Sequence, residues 1–170
     1  MTSRLRVDIG RQSLTLEADG RVLKTWSVST ARNGPGERVD SGCTPRGIHR
    51  IRIKIGAGCP LNTVFVGRRP TGEIYSRALA ASYPSRDWIL TRILWLTGAE
   101  PGFNRGGDCD TLRRFVYLHG CPDAEPMGVP ASHGCIRMRN ADIVDLFDRV
   151  DIGTMVVIEA PHRTTDADAG

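Results

Sequence analysis

The sequence predicts a mostly β domain in which one or two helices pack against a curved or two-layered sheet, with an α+β arrangement as the secondary interpretation. Three observations lead to this prediction: short segments of alternating apolar and polar residues, Gly- and Pro-rich stretches between them, and a single segment with clear helical periodicity. A chain of 170 residues is long enough for one hydrophobic core. We therefore expect a single domain over residues 1–160, followed by a frayed polar tail over residues 161–170.

The first part of the chain is predicted as a β-meander. Apolar residues alternate with polar ones over residues 5–9 and 14–16, a turn signal follows at 18–20, and another apolar-rich segment spans 22–28. The polar, Gly-rich stretch over residues 31–43 is predicted as a loop.

The middle of the chain contains three further segments. Residues 49–55 alternate three isoleucines with basic residues, which predicts a strand with one wet face. Residues 88–96 are nearly continuously apolar and fit either a strand or a short helix. After a Gly-rich loop over 98–108, residues 114–119 predict a strand, with three residues on one face: Phe115, Tyr117 and His119.

One helix is predicted near the C-terminus. Asn140 is a suitable N-cap, and Asp142 lies in the first turn, where the helix dipole favours a negative charge. A buried stripe follows at i, i+3, i+4 and i+7, formed by Ile143, Leu146, Phe147 and Val150. Gly153 then closes a turn before a final strand over residues 154–159.

Composition and charge exclude several classes of protein. The net charge is +4, but the basic residues are scattered, so we expect no nucleic-acid partner and at most a mild attraction for small acidic substrates. No apolar run is long enough for a membrane span, and the polar segment Met1–Asp8 does not resemble a signal peptide. We expect a cytoplasmic location, unless the sequence is the processed form of an exported protein. No cofactor is expected.

The five cysteines are predicted to be free thiols. Their number is odd, no CxxC pair occurs, and no export signal is visible, so a disulfide framework is not favoured. They stand at positions 43, 59, 109, 121 and 135.

Reactive side chains concentrate between His119 and Cys135. A strand that ends in His119 holds an imidazole at a sheet edge, and a Pro- and Gly-rich loop returns the chain to Cys135. An imidazole close to a thiol favours the reactive thiolate, which is what cysteine catalysis requires. Gly134 leaves space beside the sulfur, where backbone N–H groups can stabilise an oxyanion. This pattern predicts a nucleophile and its general base.

The residues alone leave two alternatives open. Cys135 can be an ordinary buried small residue, with His133 a surface histidine. A zinc site is the other alternative, with His119, His133 and Cys135 as ligands and Cys121 as the candidate fourth. The spacing of His133 and Cys135 is cramped for two ligands of one ion, so metal binding is not the favoured prediction.

Two segments resemble the signature of the YkuD-type L,D-transpeptidase family: YLHG at residues 117–120 and SHGCIRM at residues 132–138. TPRG at residues 44–47 is similar to an upstream Thr-Pro-x-Gly segment of the family, and the resemblance spans residues 5–159. It implies a β-rich catalytic domain, a YkuD-like β-sandwich or curved mixed sheet. It also implies attack by a cysteine on the bond between the L-centre of a diamino acid and D-Ala in a peptidoglycan stem tetrapeptide.

The resemblance also implies roles for single residues. Cys135 matches the nucleophile and His119 the base, and the main chain of Gly120 can orient the imidazole, although some relatives carry Ser there. Arg137 matches a basic residue that either holds a substrate carboxylate or braces the loop. The residues that shape the oxyanion and substrate site are Ser132, His133 and Gly134.

The outcome of the reaction stays open at this point. A thioester resolved by an amine gives L,D-transpeptidation, and one resolved by water gives L,D-carboxypeptidation. The second activity is associated with short cytosolic relatives. If the sequence is the processed form of an exported protein, its location would be periplasmic. Carbapenem-type β-lactams are implied as covalent inhibitors. The alternative is a non-catalytic wall-peptide or zinc-binding module on the same fold. Nearby positive charge that could attract an acidic peptide comes from Arg92, Arg105, Arg113 and Arg114.

Overall fold

The computed structural model describes residues 2–161, which form one mixed sheet with two α-helices. The strands are β1 (Ser3–Asp8), β2 (Ser13–Ala18), β3 (Arg21–Ser27), β4 (Gly47–Ile55), β5 (Thr63–Val66), β6 (Arg69–Ile74), β7 (Ile89–Gly98), β8 (Tyr117–Gly120), β9 (Ile136–Met138) and β10 (Met155–Glu159). The helices are α1 (Arg77–Ser82) and α2 (Asn140–Arg149). The predicted mostly β fold with one or two helices is confirmed.

The sheet runs in the order β3-β2-β1-β10-β4-β7-β5-β6, and β8 joins it at β7 and carries β9 on its other edge. The predicted meander is present, because β1, β2 and β3 pair antiparallel. Two pairs are parallel, β1 with β10 and β8 with β9. The segment that fitted either a strand or a helix is the strand β7, which pairs with β4, β5 and β8.

A bulge in β7 lies behind the candidate site. The register with β8 shifts between Leu90 and Ile93, and Thr91 has a φ of +75°. A positive φ is uncommon for a β-branched residue. Leu90 pairs with Gly120 at the end of β8, so the irregular part of β7 lies beside the last residue of the strand that carries His119.

The main core lies between α2 and the sheet. The predicted apolar stripe of α2 is at most 5% exposed and comprises Ile143, Leu146, Phe147 and Val150. Leu118 and Ile136, the first pair of β8 and β9, are fully buried in the same cluster. Burying one such side chain stabilises the fold by about 1.5–3 kcal/mol. This packing fixes the two strands that carry the candidate site.

The predicted N-cap of the helix was wrong. Arg139 occupies the N-cap position of α2, and Asn140 is the first residue of the helix. The Asn140 side chain is buried and turns towards the sheet, where it accepts from the Thr91 hydroxyl and donates to the Cys121 carbonyl. A tertiary polar network therefore replaces the local cap.

The strand predicted over residues 114–119 begins later. Phe115 has a φ of +56° and its side chain is 49% exposed, so β8 starts only at Tyr117. Tyr117 and His119 do share a face of the strand. The hairpin of β5 and β6 and the short helix α1 were not predicted, because residues 60–82 show no clear apolar periodicity.

Neither α-helix in residues 2–161 has the length and apolar character needed to cross a membrane. Of the predicted polar tail, residues 162–170 lie outside the described part of the chain.

Candidate active site

His119 and Cys135 come together because β8 and β9 are parallel neighbours. Leu118 pairs with Ile136 and His119 with Arg137, so Cys135, one residue before β9, lies beside Tyr117. The Tyr117 N–H donates to the Cys135 sulfur at 3.3 Å. Alternate residues of a strand share a face, so His119 follows Tyr117 along the same side of β8. His119 and Cys135 both line one cavity of about 270 Å³.

The Cys135 thiol is partly buried and protonated. Its S–H donates to the Phe115 carbonyl at 3.4 Å. Burial raises the pKa of Cys135 to about 12, against the opposing effect of the Tyr117 N–H. This differs from the sequence-based expectation of a thiolate, because desolvation disfavours the charged form more than the neighbouring donor favours it.

The His119 imidazole is held in its neutral form. Its ring is 1% exposed, and Nδ1 lies 2.6 Å from the Gly120 carbonyl oxygen. A carbonyl only accepts hydrogen bonds, so Nδ1 carries the proton and Nε2 has a free lone pair. Burial lowers the pKa of His119, although its own bond to Gly120 and the charge of Asp87 act in the opposite direction. The thiol and the imidazole are therefore both uncharged in the free protein.

Gly120 fits only as a glycine. A β-carbon there would lie 2.6 Å from the Leu90 carbonyl oxygen and 2.5 Å from Oδ1 of Asn140. Both atoms are fixed, the first in β7 and the second by its bond with Thr91. The Ser that some relatives carry at this position has no room here. The carbonyl that fixes the His119 ring is thus positioned by backbone packing.

The loop that precedes Cys135 is held by the upstream residue Thr44. The buried Thr44 hydroxyl donates to the Gly134 carbonyl at 2.9 Å. Gly134 has a φ of +131°, in the region that favours glycine, and its N–H donates to the Ser132 hydroxyl at 3.2 Å. The Ser132 hydroxyl donates in turn to the Cys135 carbonyl. Ser132 lines the cavity but is only 2% exposed, and its hydroxyl is engaged within the loop, so its contacts fix Cys135.

Arg137 braces the loop through an ion pair that the sequence did not predict. Its guanidinium donates to the Asp87 carboxylate at 3.0 Å and to the Ala131 carbonyl at 3.3 Å. His133 is exposed, with Nδ1 3.5 Å from the same carboxylate. Burial raises the pKa of Asp87, but the electrostatic interactions of the carboxylate with His119, Arg137 and His133 outweigh burial and bring the pKa below its usual value. Asp87 lies in a loop with no recognisable pattern, so no sequence signal indicated it.

Of the other arginines considered, two line the Cys135 cavity and three do not. Arg114, which the sequence suggested, and Arg68, which it did not, line the Cys135 cavity. Arg92 lies elsewhere and donates to the carbonyls of Cys59 and Thr91. Arg105 and Arg113 are exposed and do not line the cavity.

A second cavity of about 440 Å³ adjoins the first. The two share Asp87, His133 and Arg137 as wall residues. The second cavity extends towards Arg32 and Glu125, so it contains both positive and negative side chains.

The remaining cysteines are not partners of Cys135. All five are free thiols. Cys121 lies four residues beyond Tyr117, about 13 Å along the strand direction, which is too far for a disulfide with Cys135. Within residues 2–161, no group of three or more His, Cys, Asp and Glu side chains is arranged to hold a metal ion.

Comparisons with known proteins agree with this geometry. The sequence model of the YkuD family, described as the L,D-transpeptidase catalytic domain, matches residues 2–158. YbiS of Escherichia coli K12, a probable L,D-transpeptidase, is 40% identical over 131 residues, which cover 71% of this chain and 42% of YbiS.

Solved structures share the fold. An L,D-transpeptidase from Mycobacterium smegmatis has a TM-score of 0.57 at 20% identity, and the match covers 93% of this chain and 58% of that one. L,D-transpeptidase 3 from Mycobacterium tuberculosis, in complex with a faropenem-derived adduct, has a TM-score of 0.57 at 18% identity, covering 93% and 60%. This chain spans less than two-thirds of the length of each of these three proteins. By the match over residues 2–158, the chain belongs to the YkuD family of L,D-transpeptidase catalytic domains.

Proposed function

We propose that this chain is a cysteine acyl-transfer enzyme that attacks the bond between the L-centre of a diamino acid and D-Ala in peptidoglycan stem tetrapeptides. One observation carries the proposal. The Cys135 thiol faces the same cavity as His119, and the bond from Nδ1 to Gly120 leaves Nε2 of His119 free to accept a proton.

The chemistry follows from two uncharged groups in a partly buried site. Nε2 of His119 accepts the thiol proton as the Cys135 sulfur attacks the scissile carbonyl carbon, because a free thiolate is disfavoured there. The tetrahedral intermediate collapses when the C–N bond breaks, and the imidazolium returns the proton to the leaving D-Ala amine. The product is a thioester between Cys135 and the tripeptide.

The thioester is then resolved by a second nucleophile. His119, neutral again, removes a proton from an incoming amine or water, and the C–S bond breaks as the new C–N or C–O bond forms. The second cavity gives an amine acceptor a place beside the thioester, because it shares Asp87, His133 and Arg137 with the cavity that contains Cys135. This supports L,D-transpeptidation, with hydrolysis to the tripeptide as the competing outcome.

Product analysis tests this proposal. The purified protein is incubated with a diaminopimelate-containing tetrapeptide, with and without D-Met, and the products are identified by mass spectrometry. We expect a product in which D-Met replaces D-Ala. Tripeptide alone in both samples would assign carboxypeptidase activity instead, and no change in the tetrapeptide would contradict cleavage of the L,D bond.

Carbapenem-type and related β-lactams are proposed as covalent inhibitors of the same residue. The structure of the Mycobacterium tuberculosis relative contains a faropenem-derived adduct. A strained β-lactam carbonyl presents the Cys135 thiol with the same acyl-transfer reaction. Intact-protein mass spectrometry should detect one adduct, which peptide mapping should assign to Cys135.

A further inference from the structure

The wall of the Cys135 cavity carries more positive than negative charge. Three guanidinium groups line it, from Arg68, Arg114 and Arg137. Only Arg137 has carboxylate partners, Asp87 at 3.0 Å and Glu125 at 3.7 Å. Within residues 2–161, neither Arg68 nor Arg114 forms a salt bridge with a carboxylate. The cavity that contains the thiol therefore favours an anionic ligand.

Arg68 is held in place before any ligand binds. It lies at the turn between β5 and β6 with a φ of +65°. Its guanidinium carbon is 5.0 Å from the Trp95 ring centroid and 4.7 Å from the Phe115 ring centroid, and one amino group donates to the Tyr117 hydroxyl at 3.2 Å. Cation–π contacts and this hydrogen bond restrict the side chain, so little conformational entropy is lost when it binds a ligand.

Arg114 adds a second uncompensated charge. Its guanidinium donates to the carbonyls of Gly36 and Cys43 and to the Ser41 hydroxyl, all of which are neutral. Two acidic residues adjoin these partners in sequence: Glu37 is engaged by Arg46 at 2.7 Å, and Asp40 is exposed and acts on Arg114 only at a distance, without a salt bridge. Arg114 is thus fixed by the backbone while its charge still acts on the cavity.

We propose that Arg68, assisted by the charge of Arg114, binds a free carboxylate of the acyl-donor peptide and selects ionised stem peptides over amidated ones. This inference rests on the proposed function. A guanidinium can form a bidentate pair of hydrogen bonds with a carboxylate. Amidation removes the charge and one acceptor oxygen with little change in size, so discrimination comes from charge and hydrogen bonding.

The position of Arg68 restricts which carboxylate it can bind. Arg68 lines the same cavity as Cys135, about 270 Å³ in volume, so the carboxylate must lie within a few bonds of the scissile carbonyl. Two candidates fit: the D-centre carboxylate of the diamino acid and the terminal carboxylate of D-Ala.

Binding to an inactive background tests the proposal independently of turnover. Three tetrapeptides are titrated calorimetrically into the Cys135→Ala protein: the free acid, the diaminopimelate amide and the D-Ala amide. We expect one of the two amides to bind roughly tenfold more weakly than the free acid. This difference in affinity corresponds to the loss of one charge-assisted hydrogen bond. Adding Arg68→Gln should weaken binding of the free acid to the level of that amide and remove the difference.

Arg69→Gln is the matched control, since Arg69 is the next residue of the same hairpin, is exposed and does not line the cavity. It should keep the tenfold preference, and Arg68→Lys, which retains the charge, should keep a preference of the same sign. Equal binding of all three peptides, no measurable binding of any, or an unchanged preference in Arg68→Gln would overturn the proposal. A failure of the wild-type protein to cleave the tetrapeptide would instead contradict the proposed function and leave this binding result standing.

Discussion

Nδ1 of His119 lies 2.6 Å from the carbonyl oxygen of Gly120, the next residue in the chain. A contact between neighbouring residues would be flexible in a loop, but here the carbonyl is fixed because Gly120 packs against the backbone of β7. The imidazole therefore has one tautomer and one orientation, with Nε2 free. The catalytic proposal depends on this relationship.

Replacing Gly120 should disrupt the contact between its carbonyl oxygen and Nδ1 of His119. In Gly120→Ala, the β-carbon would lie 2.6 Å from the Leu90 oxygen, so β8 must shift. We expect a loss of unfolding free energy of about 1–3 kcal/mol, typical of overpacking, and a fall in kcat because the His119 ring is displaced. Chemical denaturation and steady-state kinetics check both.

Gly72→Ala is the control for this change. Gly72 lies in β6 and has a φ of +88°, and no atom lies within 4 Å of an added β-carbon. The alanine variant is therefore strained in its backbone but makes no steric clash. It should lose stability and keep kcat. If Gly120→Ala retained full kcat, the carbonyl of Gly120 would not be what orients the base.

Asp87 should set the acid limb of the pH–rate profile. The proposed mechanism requires neutral His119, and burial lowers the pKa of this residue, so the acid limb of kcat/KM should lie below the usual histidine value of about 6.5. The Asp87 charge raises the pKa of His119, so Asp87→Asn should move the acid limb to still lower pH. Asp148→Asn, an exposed change on α2, should leave it in place. A shift to higher pH in Asp87→Asn would contradict this electrostatic relationship.

The neutral thiol predicts slow alkylation at neutral pH. Burial raises the pKa of Cys135 to about 12, so its reaction with iodoacetamide should keep accelerating as pH rises above 8. Peptide mapping at several pH values gives the rate for Cys135 alone. His119→Gln should change this pH dependence little. Rapid alkylation at pH 6 that is lost in His119→Gln would show a thiolate–imidazolium pair instead.

His49 should make the fold sensitive to acid. It is fully buried, with its ring nitrogens 3.0 Å from the Gly47 carbonyl oxygen and 2.9 Å from the Thr111 hydroxyl, and burial lowers its pKa to about 4. Between pH 6.5 and 4 the unfolded chain binds a proton that the folded chain excludes. Stability is therefore lost as pH falls through this window, by up to about 3 kcal/mol.

The comparison of His49→Gln with wild type isolates this effect. The variant should be less stable at pH 7, because the contacts of a buried ring are lost, and should lose less stability than wild type between pH 7 and 4.5. Denaturant unfolding at both values measures the difference. His133→Gln, at an exposed position, should follow the wild-type pH dependence.

The sequence predicted the regular parts of the molecule well. Alternation identified the meander of β1–β3, and periodicity identified the buried stripe of α2, because both patterns reflect local geometry. The helix cap at Asn140 was wrong, since a buried network with Thr91 and Cys121 outweighs the local preference for capping. The start of β8 was wrong because Phe115 adopts a positive φ that no pattern marks.

The candidate site was predictable only where a motif spans adjacent residues. His119, Gly120 and Cys135 stand in two such segments, and the β8–β9 pairing places His119 and Cys135 on one cavity. Asp87 and Arg68 come from a loop and a hairpin turn that tertiary structure brings to the site, so their roles have no signature in sequence. The protonation state of the thiol likewise depends on burial, which a motif does not specify.

Detection of the acyl-enzyme decides whether Cys135 is the nucleophile. The protein is mixed with a diaminopimelate-containing tetrapeptide, quenched in acid within the first turnovers and analysed by intact-protein mass spectrometry and peptide mapping. We predict a mass increase equal to the tetrapeptide minus D-Ala, located on Cys135 and absent from a folded Cys135→Ala protein that no longer releases D-Ala. Release of D-Ala at the wild-type rate by Cys135→Ala, or an adduct on another of the five cysteines, would contradict the account.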